Sequence, residues 1–284
     1  MADQTDVLNL RPLSPHVGVE VQGVDIEAGL TDEQSEAIAS ALFTHSLLVF
    51  RDQKLSPRTQ VEFSALFGEN DIHIYDQYLD PEYPELIRLS NMHGDRGVVV
   101  DNYWHADLTY YPEPTGGAVL FAHEVPRVGG DTLYASLISA YDRLPDALKR
   151  DLSGREAVHS HEPRRSIKRP QLTDDQQSKA PDSTHPVICV HPVTGKRILF
   201  VNEGFTASIV GMEEARSEEL LRFLFDHTTA DEFIYRHQWR RGDVLVWDNR
   251  AVVHSATPWD TENEHRHLTR TTIKGERPRM APPL

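Results

Sequence analysis

The chain has 284 residues, a formal charge of −15 and a pI near 5.4. That length supports a sizeable hydrophobic core, and the acidity disfavours nucleic acid and anionic membrane surfaces as partners, since both repel a negative protein. Cys189 is the single cysteine, which excludes an internal disulfide and suits a reducing, cytoplasmic setting; the acidic N-terminus lacks a signal peptide's apolar run, and no stretch nears the ~18 apolar residues of a membrane span.

In chain order, residues 7–10 and 17–21 read as short strands around a Pro/Gly turn. Thr31-Asp32-Glu33-Gln34 has the form of a capping box, in which a hydroxyl and an amide three residues apart satisfy each other's backbone N–H groups, and it opens a helix to about His45. Residues 46–50 (SLLVF) have the composition of a buried strand. Ser56-Pro57 starts a second helix to Phe67, with proline in the tolerated first turn. The next fifty residues read as irregular and are rich in Asp, Tyr, His and Pro. A connection that long suits a loop carrying a site. Residues 117–125 form a strand, and 136–144 and 146–152 form helices. The polar segment 163–181, with Arg164, Arg165, Lys168 and Arg169, reads as a mobile lid. Residues 186–191 and 196–201 form a hairpin through Thr194-Gly195, and 213–228 an amphipathic helix. Strands follow at 233–239, 244–247 and 267–273, with Arg241-Gly242-Asp243 turning between the first two. The tail, 278–284, is expected to fray.

Strands and helices do not alternate regularly, which argues against a doubly wound parallel sheet. The expectation is a mainly β fold with flanking helices, built on a double-stranded β-helix (jelly-roll or cupin-like) core, as one domain over 1–284.

Two residues of one tripeptide stand out. In Trp104-His105-Ala106-Asp107 an imidazole and a carboxylate are two apart, and on an extended strand both point to one side and can reach one ion. His254, in the apolar Val252-Val253-His254 run, is a candidate third ligand. Two histidines and a carboxylate on one face of a metal leave open positions, which suits non-haem Fe(II). An HxD tripeptide alone is a weak signal, and a buried histidine is more often hydrogen-bonded core. Thr132, in Gly129-Gly130-Asp131-Thr132, offers a hydroxyl to a carboxylate. Arg266 and Arg270 are four apart and share a face if 267–273 is a strand; guanidinium forks bind carboxylates and sulfonates. Surface salt bridges are the plainer fate of such arginines.

The segments LLVFRDQ (47–53), FGE (67–69), WHADLTY (104–110), GGDTLYAS (129–136), HPVTGK (191–196), LFVNEGFT (199–206), VWDNR (246–250) and HLTRTTIKG (267–275) occur in one order along nearly the whole chain. In these the chain resembles the taurine dioxygenase family of Fe(II)/2-oxoglutarate oxygenases, which includes the 2,4-dichlorophenoxyacetate and alkylsulfatase dioxygenases. The resemblance implies Fe(II), 2-oxoglutarate and O2 as cofactor and co-substrates, with succinate and CO2 as products. It implies His105, Asp107 and His254 as iron ligands, and Thr132 and Arg266 as the residues holding the far carboxylate of 2-oxoglutarate. Arg270, His73 and the backbone N–H of Leu108 would bind the anionic group of a small organic substrate, with Phe205 and Ser166 lining its pocket. It also implies a homo-oligomer, dimer or tetramer.

The chain departs from taurine dioxygenase where substrate is read. Val100 and Asp101 stand where an Asp-Asn pair receives the taurine amine, and Ile167 stands where a pocket Phe is found. A short insertion falls near 159–161, and one residue is added between His254 and Arg266. A sulfonate such as taurine or a related alkylsulfonate is therefore one expectation among several, beside alkyl sulfate esters and aryloxyalkanoates. Two other classes are a Zn hydrolase using the same three ligands and a non-catalytic anion-binding jelly roll.

Overall fold

The computed structural model describes residues 7–73, 76–92, 102–161 and 182–284. The 163–181 segment with Ser166 and Ile167, and the pair Val100 and Asp101, lie outside them. Among the described residues no helix is long and apolar enough to cross a membrane.

The strands are β1 (Asn9–Pro12), β2 (Val19–Gln22), β3 (Leu47–Phe50), β4 (Asn70–Asp71), β5 (Leu86–Ser90), β6 (Gly117–Glu124), β7 (Thr132–Ser136), β8 (Glu156–His159), β9 (Ser183–Pro186), β10 (Ile188–Val190), β11 (Arg197–Leu199), β12 (Thr206–Ile209), β13 (Ile234–His237), β14 (Val244–Asp248), β15 (Val252–Ala256), β16 (His267–Ile273) and β17 (Arg279–Met280). The helices are α1 (Asp32–His45), α2 (Pro57–Ser64), α3 (Leu137–Arg143), α4 (Asp146–Leu152) and α5 (Glu214–Thr228).

The local signals at the helices hold. Gln34 N–H donates to the Thr31 hydroxyl at 3.1 Å and Thr31 N–H to the Gln34 side chain at 3.0 Å, closing the capping box of α1. Ser56 caps α2 with Pro57 in its first turn, and a 3-10 turn at Ala65–Phe67 tightens its end.

The largest sheet runs β1-β2-β3-β14-β6-β16-β4, with β5 also on β16. Its central strands are buried on both faces, which is why they read as continuous apolar runs rather than alternating ones. Leu48 and Phe50 of β3, Val119 and Phe121 of β6, and Val244 and Val246 of β14 pack with Ile38 and Leu42 of α1 and Phe63 of α2. Their neighbours Leu47, Val49, Leu120, Leu245 and Trp247 face the other way, onto Tyr134 of β7 and Val252 of β15. The second surface is the sheet β13-β7-β15, and the remaining sheets are β12-β8-β9 and β11-β10-β17.

Several expectations are corrected. The fifty-residue stretch after α2 contains β5, which pairs with β16 from Leu86↔Thr271 to Ser90↔His267. Strand β7 continues the Gly-Gly turn and is the centre of its sheet, while β8, β9 and β12 also form outside any strand expected there. Each is short, and its partner is remote in sequence, so local composition carries little of the reason for it. Arg241-Gly242-Asp243 turns between β13 and β14 as expected, and the turn takes the chain from one sheet to the other. The tail does not fray. Arg279 and Met280 pair with Val190 and Cys189, and Ala281 is buried with its N–H donating to Ile188 at 3.0 Å.

Candidate active site

His105 and His254 face each other as a one-residue antiparallel bridge. His105 N–H donates to the His254 carbonyl at 3.0 Å and His254 N–H to the His105 carbonyl at 2.8 Å. The pairing puts both imidazoles on one side, with ring centroids 4.3 Å apart. Asp107 reaches them differently from the sequence expectation. It does not continue a strand. The chain turns at Asp107, and Leu108 takes the left-handed conformation with φ +52°. The Asp107 carboxylate then lies 3.7 Å from His105 Nε2 and 3.8 Å from His254 Nε2. One ligand atom from each of the three residues falls within a 4.8 Å cluster, and all three residues are buried.

The protonation pattern fits a cation. A carbonyl can only accept, so the 2.9 Å contact from His105 Nδ1 to the Tyr103 carbonyl places a proton on Nδ1 and turns Nε2 toward Asp107. Burial pulls the His254 imidazole down to about 3, with the neighbouring His105 next in effect, so His254 is neutral at pH 7. Burial alone would raise the Asp107 carboxyl, but Arg270, His254, His105 and His73 outweigh it and hold it below the usual carboxylate range. Two imidazoles and an ionised carboxylate are the donor set of a divalent metal.

One cavity of about 110 Å³ opens on this cluster. Thr132, Arg266, Arg270, His73, Leu108 and Phe205 all line it, so the structure brings together every expected site residue that it describes; Asp101 and Ser166 lie outside the described residues.

Arg266 is only 2% exposed. Its Nε donates to the Gly130 carbonyl at 3.1 Å, and its guanidinium lies 5.9 Å from the Trp239 ring and 5.6 Å from that of Trp259. Its Nη1 is buried without a hydrogen-bond partner, and among the described residues no carboxylate stands within ion-pair distance. Burial lowers it to about 10. A buried guanidinium with no direct ion-pair partner is costly unless an anion arrives. The Gly-Gly turn makes this placement possible. Gly129 and Gly130 have φ of +77° and +66°, and a β-carbon on Gly129 would stand 2.3 Å from the Pro258 carbonyl oxygen. Beyond the turn, Thr132 accepts from Trp239 Nε1 at 2.9 Å, which leaves its hydroxyl proton to donate.

Arg270 is buried and holds both Asp107 oxygens, at 3.3 and 3.0 Å, while its Nε is buried without a partner. Burial, and after it the Arg270 charge, pull the His73 imidazole down to about 3. Phe205 stands edge-on to His105 with centroids 6.1 Å apart, and Tyr110 lies 5.0 Å from Phe205. Ile87 and Leu89 of β5 and Leu120 of β6 add apolar wall.

Sequence reasoning passed over several contributors. Gly204 packs so tightly that a β-carbon would lie 2.8 Å from His105 Cβ. Trp239 steadies both Thr132 and Arg266. Asn249 hydrogen-bonds the Asp107 backbone. His161 lines the cavity from the insertion noted above. Gly204 and Asn249 lie inside the motifs that carried the resemblance; Trp239 lies outside them, and only folding shows its role.

Comparisons with known proteins agree with this geometry. The chain is 32% identical over 287 residues to an alkylsulfatase of Acinetobacter baylyi, covering 96% of this chain and 86% of that protein. It is 33% identical over 294 residues to an (S)-phenoxypropionate/alpha-ketoglutarate-dioxygenase of Sphingobium herbicidovorans, covering 94% and 95%. A crystal structure of a taurine dioxygenase from Burkholderia xenovorans superposes with a TM-score of 0.83 at 33% identity, covering 96% of this chain and 91% of that one. The family model for taurine catabolism dioxygenase TauD, TfdA family, matches residues 9–272, and the chain belongs to that family.

Proposed function

We propose that the cavity performs Fe(II)- and 2-oxoglutarate-dependent hydroxylation of a small anionic organic substrate, with residues 1–284 acting as one catalytic domain on a jelly-roll core. The observation that carries this reading is a single cavity into which three metal-type ligands and Arg266, with a buried unpartnered Nη1, both open. When bound, Fe(II) with 2-oxoglutarate and O2 supplies the oxidising power, and the co-substrate leaves as succinate and CO2.

The chain's own residues bind, orient and exclude water. His105, Asp107 and His254 would hold the metal through their two imidazoles and one carboxylate. Arg266 and the Thr132 hydroxyl take the far carboxylate of 2-oxoglutarate, relieving the buried charge. The free Arg270 Nε–H and His73 orient the substrate anion beside the metal, with the Leu108 N–H as a further donor. Phe205, Tyr110 and Leu89 keep the reacting carbon out of water.

A sulfonate such as taurine or an alkylsulfonate suits the Arg270–His73 end. The apolar wall of Ile87, Leu89, Tyr110 and Phe205 favours, as a second reading, an alkyl sulfate ester or an aryloxyalkanoate. A Zn hydrolase has no use for a buried arginine and threonine aimed at a second anion. The test is an anaerobic titration of Fe(II) and 2-oxoglutarate against a panel of sulfonates, sulfate esters and aryloxy acids. A true substrate shifts the metal-to-ligand absorption band and then releases succinate on O2 addition. Metal-dependent hydrolysis without 2-oxoglutarate, or no succinate from any member, would overturn the reading.

A further inference from the structure

Asn249 follows β14 and is 1% exposed. Its side-chain oxygen accepts from the Asp107 N–H at 2.8 Å. Its amide nitrogen donates to the Asp107 carbonyl at 3.0 Å and to the Thr115 carbonyl at 2.9 Å. Its own backbone N–H donates to Gly116 at 3.1 Å. The side chain thus pairs with both main-chain groups of Asp107, as a neighbouring strand would, where no strand runs. Its platform is fixed. The adjacent Asp248 carboxylate is fully buried, takes His191 Nε2 at 2.8 Å and holds Arg250 through two bonds at 2.7 and 2.9 Å.

The next residue explains why such a clamp is needed. Leu108 sits at φ +52°, a conformation that a residue with a β-carbon resists. A strained backbone persists only where its surroundings over-determine it, and here the strain turns the chain directly after the carboxylate. On the far side of the turn, Thr109 is held by Asn202 at 3.1 Å and His185 at 2.9 Å. Asn249 is the corresponding hold at the ligand itself.

We infer that Asn249 is a positioning residue that sets the divalent-metal affinity of the His105–Asp107–His254 site. It does so by fixing the Asp107 backbone, and it touches neither substrate nor co-substrate. This rests on the reading of those three residues as metal ligands. An outer partner of this kind tunes a metal site because the ligand's orientation, rather than its identity, is what it controls.

The test uses the full-length, metal-stripped chain and Mn(II) alone as probe, with free Mn(II) counted by electron paramagnetic resonance. Four variants are compared with wild type: Asn249→Ala, Asn249→Asp, Asp107→Ala and Asn70→Ala. Asn249→Asp keeps the size and the acceptor but loses both donors, so it carries the test if the alanine variant does not fold. Asn70→Ala removes another side-chain-to-backbone clamp, from Asn70 to the Val61 carbonyl, remote from the ligands in sequence. Wild type is expected to bind one Mn(II), Asp107→Ala none, and the Asn249 variants about 10- to 100-fold more weakly than wild type. Asn70→Ala should lower the melting temperature while leaving Mn(II) affinity unchanged. Wild-type affinity in a folded Asn249 variant, or an equal loss in Asn70→Ala, overturns the proposal and leaves the ligand reading standing. Equal binding by wild type and Asp107→Ala overturns the ligand reading, and the proposal with it.

Discussion

The two ends of the cavity are built in different ways. At the proposed 2-oxoglutarate end, Thr132 lies on β7 and Arg266 directly precedes β16, and Trp239 links the two through a hydrogen bond and a ring contact. Arg266 is tied down further by the Gly130 carbonyl, and its backbone N–H donates to Asn91 at 2.8 Å. At the proposed substrate end the residues come from outside the strands: His73 just after β4, Leu108 in the turn that opens at Asp107, and Phe205 in the turn just before β12. Arg270, on β16, is the exception, and it is shared with Asp107. A group common to every turnover benefits from a rigid mount, whereas turns can change shape and chemistry without disturbing the sheet.

The largest effect should come from the residues that both ends share. His105→Ala or Asp107→Ala is expected to abolish Fe-dependent succinate formation whatever substrate is offered. Full turnover by either variant would refute the ligand assignment. Next, Arg266→Ala should strike one end alone. Losing a charge-assisted contact of about 1.5–3 kcal/mol predicts a rise in the 2-oxoglutarate KM of about 10- to 150-fold. Steady-state kinetics should show the substrate KM nearly unchanged, and a matched rise in both constants would dissolve the distinction between the ends.

Acid should expose a smaller difference. His159 is fully buried, and its Nδ1 contacts the Thr109 hydroxyl at 3.0 Å, two residues beyond Asp107. Burial, and then the neighbouring His185, hold its imidazole well below the ordinary 6.5. At pH 7 and above both the folded and the unfolded chain are mostly unprotonated there, so little is lost. Below 6.5 the unfolded chain takes up a proton that the folded chain refuses, and stability falls by about 1.4 kcal/mol per pH unit for such a group. Urea unfolding at pH 7 and pH 5 should show this fall in wild type and a shallower one in His159→Gln. An identical slope in the two proteins would remove His159 from the account.

By itself the sequence determined those parts whose cause is local. The Thr31 capping box, the proline-led second helix, the amphipathic α5 and the strand 267–273 are written in neighbouring side chains, and the structure reproduces them. The motif order also pointed to the site residues, because WHADLTY, GGDTLYAS, VWDNR and HLTRTTIKG each hold side chains that meet in the cavity. Only the tertiary structure decided how they meet. Strand β5 exists because β16 pairs with it nearly two hundred residues later. Asp107 faces its partners through a left-handed turn, not a strand, and Asn249 clamps that turn from 142 positions away. Arg266 reads in sequence like any surface arginine, and folding buries it with no carboxylate of the described residues within ion-pair distance. The physical reason is common to all three: a hydrogen bond or a desolvated charge depends on which groups folding brings together, and distance along the chain does not carry that information.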